Sequence, residues 1–159
     1  MELGKDGVLK PGFHEIKLDE LESLFVKNFT TSQTRQRIFE NFKKWEENLI
    51  SQYDILEIWI DGSFVTSKIN PNDVDLVVFV HAKDYIKLAQ KWSDIRNAND
   101  IDAYFTLAIC EESEKYVRPD EYNKFVNHRN YWRGQFGFDR NNFPKGVIVL
   151  KCNQKVENN

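Results

Sequence analysis

Cysteine and histidine are scarce: the 159 residues include two cysteines, Cys110 and Cys152, and three histidines. The cysteines have no metal-ligand spacing, so they give no zinc motif and no disulfide framework. Two free, buried or half-buried thiols are expected, and with them a reducing, cytoplasmic setting. No apolar run approaches the ~18–20 residues that span a bilayer, so no membrane is expected. The start, Met1-Glu2-Leu3-Gly4-Lys5-Asp6, has no secretory pattern. There is no repeat and no low-complexity linker. What is there is 41% hydrophobic and 14% aromatic, enough for one domain with its own core.

The net charge of −3 hides an asymmetry. From Lys115 to Lys155 there are nine Lys/Arg and three Asp/Glu, a net of +6; the remainder has 13 basic and 22 acidic residues, a net of −9. The basic third also holds eight aromatics, Trp132, Phe136 and Phe138 among them. Basic residues interleaved with aromatics suit phosphates and bases. A solvated basic surface over an aromatic core is the competing expectation.

Three stretches are expected: an N-terminal preface over 1–33, a core over 34–112 and a basic aromatic extension over 113–159, all in one domain. In the preface, Leu18, Leu21, Leu24 and Phe25 have helical spacing. Thr30-Thr31-Ser32 supplies hydroxyls to cap the next helix. That helix, about 34–52, carries an apolar stripe of Ile38, Phe42, Trp45 and Leu49, with Arg35 and Arg37 outside it. Strands are expected at Ile55–Ile60, Val74–Val80, Ile101–Cys110 and Val147–Leu150. A helical turn is expected over Phe64–Ser67, and helices at Asp84–Trp92 and Asp120–Arg129, with Gly134 and Gly137 breaking the next stretch. Val74–Val80, almost all apolar after its acidic start, reads as a central strand buried on both faces. The fold class is α/β (α+β): a mixed sheet flanked by helices.

The chemistry gathers at Ile60-Asp61-Gly62-Ser63 and, nine residues on, Asp73-Val74-Asp75-Leu76. Carboxylates two apart on a strand point to one face, so Asp73 and Asp75 can share a divalent metal. Two Mg²⁺ ions about 3.5–4 Å apart stabilise both the entering and the leaving oxygen of a phosphoryl transfer. Asp102, early on the next strand, is the candidate third carboxylate and metal ligand, with Asp100 its rival. Gly62 lets a triphosphate approach the backbone, and Ser63 and Lys68 offer donors to it. Arg133, in Tyr131-Trp132-Arg133-Gly134, is a second candidate for holding a triphosphate or an acceptor RNA. His14 and His128 are candidate bases with nothing to fix their position.

In these motifs the chain resembles the nucleotidyltransferase superfold, the DNA polymerase beta-like group. The matching signature is an apolar residue, Gly and Gly or Ser, a short gap, then Asp, apolar, Asp or Glu, apolar; Asp61 before the glycine is a variation. The resemblance covers about half the chain through 34–112. Trp59-Ile60-Asp61-Gly62-Ser63-Phe64, the opening Leu9-Lys10-Pro11-Gly12-Phe13-His14 and the Arg35/Arg37 helix look like a small stand-alone bacterial family of nucleotidyltransferase-like proteins, which extends it to nearly the whole chain. The resemblance implies an enzyme that uses Mg²⁺ (or Mn²⁺) to move an NMP from an NTP such as ATP to a hydroxyl of RNA (tRNA) or protein. It is similar to minimal nucleotidyltransferases of toxin–antitoxin and phage-defence loci. In those the Gly-Ser is often followed by an arginine, which Phe64-Val65-Thr66-Ser67 lacks; phosphate binding then rests on Ser63, Lys68 or the basic third. The competing expectation is a catalytically inactive protein of the same fold that binds RNA or a partner protein.

Overall fold

The computed structural model describes residues 1–152; the expected domain ran to 159, and 153–159 lie outside the described residues. In chain order the elements are β1 (Gly12–Glu15), α1 (Leu18–Glu22) with a π-helical turn to Lys27, α2 (Arg35–Gln52), β2 (Ile55–Asp61), a 3-10 turn (Ser63–Val65), β3 (Val74–Val80), α3 (Ala82–Ile95), β4 (Ile101–Leu107), α4 (Glu111–Tyr116), α5 (Pro119–Phe136) and β5 (Gly146–Lys151). The strands form one mixed sheet in the order β1-β5-β2-β3-β4. β2 runs antiparallel to both β3 and β5, whereas β1 with β5 and β3 with β4 are parallel. A parallel pair needs a crossover, and α3 supplies it between β3 and β4. The fold is therefore α+β, a mixed sheet flanked by helices, as expected.

Strand alternation gives the sheet two apolar faces. Ile58, Ile60, Leu76, Val78 and Ala103 pack with Ile38, Phe42 and Leu49 of α2. Trp59, Val77, Phe79 and Val149 lie on the other face with Trp132 and Phe136 of α5. β3 is bonded on both edges and buried along nearly its whole length. Glu57, buried on β2, accepts from Trp59 Nε1 at 2.9 Å and from Lys151 Nζ, and so ties β2 to β5.

Four local expectations need correction. The preface carries a strand, β1, which pairs with the far end of the chain; four residues beside a proline gave no alternation to read. The stretch after β4 ends in α4 rather than extending the strand to Cys110. α5 runs through Gly134 and stops before Gly137. One glycine costs a helix only about 1 kcal/mol, and Trp132 and Phe136 on either side anchor α5 to the sheet.

The fourth correction is Arg35, which is fully buried rather than outside the apolar stripe. Its guanidinium donates to the carbonyl oxygens of Phe25 (2.8 Å), Phe64 (2.5 Å), Thr66 (2.8 Å) and Lys68 (2.5 Å). It also sits 3.7 Å from the centroid of the Phe29 ring. Burial lowers its pKa to about 10, so it stays charged at neutral pH. The N-cap of α2 is Thr34, whose side chain makes no capping bond; of the expected hydroxyl cluster Ser32 reaches the helix start, its Oγ accepting from the amides of Thr34 (3.3 Å) and Arg35 (3.1 Å).

Replacing Arg35 with Met leaves these carbonyls without a donor. Urea denaturation should show a loss of roughly 3–5 kcal/mol. Arg35→Lys should recover little of it, since an ammonium lacks the five-donor planar fork. A loss under 1 kcal/mol for both variants would contradict the role given to Arg35.

Candidate functional site

The row of acids is set by strand register. Asp61, the last residue of β2, pairs with Asp75 of β3, and Asp75 pairs in turn with Asp102 of β4. Paired residues of neighbouring strands project to the same face, so three carboxylates line up across the sheet. Asp73 precedes β3 by one residue and acts on Asp75 from there. Asp75 is pushed up to about 6, first by burial and then by the negative charges of Asp73, Asp102 and Asp61. Lys145 is the cation that offsets this crowding.

Gly62 follows Asp61 with φ +79°, a conformation that suits glycine. A Cβ built there would fall 1.7 Å from Asp75 Oδ2. The absence of a side chain is thus what lets the loop close over the acid. Ser63 then opens the 3-10 turn, and its carbonyl accepts from Thr66 Oγ1 at 2.8 Å. The Ser63 hydroxyl has no hydrogen-bond partner among the described residues.

A cleft of about 740 Å³ opens beside this row. Gly62, Ser63, Lys68, Asp73 and Asp75 all line it, so five of the seven expected site residues meet in one place. Asp102 stands at its side rather than in its lining: its Oδ1 faces Arg96 NH2 at 3.7 Å. Arg133 does not line it either, and lies 5.5 Å from the centroid of the Phe13 ring. Asp100, the rival third acid, is engaged elsewhere by Arg37 (3.0 Å) and Asn41 (2.9 Å) of α2. His14 contacts the Lys10 carbonyl and His128 the Phe125 ring. Neither histidine lines the cleft.

Four charged residues of the cleft lining escaped prediction from the sequence: Asp61 as a participant, Asp139, Arg140 and Lys145. Lys145 Nζ bonds both Asp61 oxygens at 2.5 and 2.6 Å. Burial pushes Asp61 up more strongly than this lysine pulls it down. The loop that delivers Arg140 and Lys145 is built by Asp139, whose Oδ1 accepts from the amides of Asn141 (2.8 Å) and Phe143 (2.9 Å). Asp139-Arg140-Asn141-Asn142 is a turn signal in the sequence, but nothing local says that its cations reach residue 61.

The donor set is all oxygen, which is the chemistry Mg²⁺ prefers, and Mg²⁺ is commonly held by one or two carboxylates with substrate phosphates. Asp73 and Asp75 fit that requirement, and the like-charge crowding at Asp75 is what a cation would relieve. Among the described residues, however, no three His, Cys, Asp or Glu side chains gather closely enough to hold an ion. Asp102 would have to turn away from Arg96 to complete a triad.

Residues 1–151 match the model of a family of unknown function, DUF6932, and the chain belongs to that family. No curated protein and no solved structure matches it. Among the described residues no helix is long and apolar enough to cross a membrane.

Two substitutions test this geometry. Asp75 folds with a pKa of about 6 against an ordinary 3.8, so its ionised form costs stability above about pH 6 and the cost is gone once both states are protonated. Asp75→Asn should therefore stabilise the protein at pH 8 by about 1–2 kcal/mol, a figure discounted for partial solvation, and by nothing measurable below pH 4. Urea titrations at the two pH values check this. Gly62→Ala should lose roughly 1–3 kcal/mol from the positive φ, with further loss from the clash, in the same assay.

Proposed function

We propose that this member of the DUF6932 family is a magnesium-dependent nucleotidyltransferase, which moves an NMP from an NTP to a macromolecular hydroxyl and releases pyrophosphate. The observation that carries the reading is Asp75 held in register between Asp61 and Asp102, closed over by side-chain-free Gly62, in a cleft that also presents cations. Asp73 and Asp75 would hold Mg²⁺ together with phosphate oxygens, and the ion would neutralise charge on the transferring group. Ser63 and Lys68 bind the triphosphate. Lys145 and Arg140 add positive charge to the same cleft and stand in for the arginine missing after Gly-Ser.

Group transfer then requires little covalent help from the protein, since positioning and charge supply most of the effect. The acceptor oxygen bonds to the α-phosphorus as the bond to the pyrophosphate oxygen breaks. The acceptor proton passes to a carboxylate. Asp102, half-exposed and next to Asp75, would take it by turning from Arg96 toward the cleft. Two free cysteines suit a reducing cytoplasm.

A second reading has its own observation. The Arg96–Asp102 contact and the lack of a three-ligand cluster among the described residues favour a protein of this fold that binds RNA or a partner protein and does no chemistry.

Incubation with each α-labelled NTP, Mg²⁺ or Mn²⁺, and total cell extract separates the two. Transfer of label by the wild type is expected, with Asp73→Asn and Asp75→Asn each slowing it by at least about 100-fold while cooperative unfolding is kept. Labelling that survives both changes would refute the mechanism. No labelling with any NTP selects the binding reading.

A further inference from the structure

Next to the carboxylate cleft lies a second hollow of about 290 Å³. It shares Phe138 and Lys145 with the cleft, so the two adjoin. Its surface is mostly apolar and ring-rich: Pro11, Phe13, Phe138 and Pro144 take part. Phe13 and Phe138 are 44% and 46% exposed, high values for rings that a fold has no need to leave in water. The backbone of Phe138 is held by a bridge to Pro144 at the base of the 138–144 loop. Phe13 is backed by Trp59, with ring centroids 4.7 Å apart. Exposed Arg133 lies over Phe13, and Gly134 leaves open space beside it, with nothing within 4 Å of a built Cβ.

Exposed rings interleaved with cations make a surface on which bases stack while the backbone phosphates find positive charge. Lys145 and Lys151 of the basic third are engaged by Asp61 and Glu57, whereas Arg133 at this hollow and Arg140 in the adjoining cleft have no acidic partner among the described residues and so keep their charge for a polyanion. A duplex hides the faces of its bases, so only an unpaired strand can use such rings. We infer that this hollow binds single-stranded nucleic acid, with a base on Phe138 and phosphates near Arg133 and Arg140, and so leads the strand's terminal hydroxyl toward Asp75. The role as acceptor rests on the transferase reading; the binding site does not.

The test is fluorescence anisotropy of a labelled single-stranded oligoribonucleotide of about 10 nucleotides at low salt, with no NTP present. Saturable binding is expected, weakened about 10-fold or more by Phe138→Ala and by Arg133→Ala. Both side chains are exposed, so circular dichroism should show the fold intact. The inference is overturned if the strand does not bind, if a duplex of the same sequence binds as well, or if neither substitution changes the affinity. Labelled NMP found on protein and not on RNA, with no strand binding, overturns it while leaving the transferase reading in place. Strand binding that responds to both substitutions, with no transfer from any NTP, upholds the site and sinks the transferase reading instead.

Discussion

The arrangement depends most on one buried guanidinium. The loop after β2 turns the carbonyl oxygens of Phe64, Thr66 and Lys68 inward, and each needs a donor once water is gone. Arg35 supplies it from the start of α2, and reaches the Phe25 carbonyl at the same time. One side chain thus joins the preface, α2 and the Gly-Ser loop. Desolvation opposes the charge and lowers the pKa to about 10, which still leaves it cationic at neutral pH. With its inner surface tied down, the loop presents its outer surface, Gly62, Ser63 and Lys68, to the cleft.

The second constraint is electrostatic. Register brings Asp61, Asp75 and Asp102 side by side, and Asp73 adds a fourth negative charge. Such a row survives folding because Lys145 arrives from 84 residues away and binds Asp61. The acidic core and the basic last third, separate blocks in the chain, are brought face to face in the cleft. Their meeting suits a ligand that carries both phosphates and a cation, which is the substance of the proposal made for this protein.

Much of the fold was legible because it rests on local pattern. The stripe Ile38, Phe42, Trp45 and Leu49 gave α2, and the unbroken apolar run gave β3 as a central strand. Asp73 and Asp75 were legible as a pair from their spacing and both line the cleft, although Asp73 stands one residue before β3, so strand period governs only Asp75. Arg35 was misread because an arginine beside an apolar stripe normally points to water; only the inward carbonyls reverse that. β1 was missed because its partner, β5, lies more than a hundred residues away. Arg133 looked like a cleft residue by its neighbours, and the turn of α5 carries it to the Phe13 side instead.

The sequence by itself determined β2 to β5, the main helices and the Gly-Ser turn, since each comes from periodicity or from steric freedom over a few residues. Tertiary structure decided which acid stands next to Asp75, which cation answers it, and what supports the loop from behind. Those are contacts between distant segments, and no local propensity encodes them. Asp102 shows the boundary well: its strand was readable, its register with Asp75 came from sheet pairing, and its turn toward Arg96 came from side-chain electrostatics.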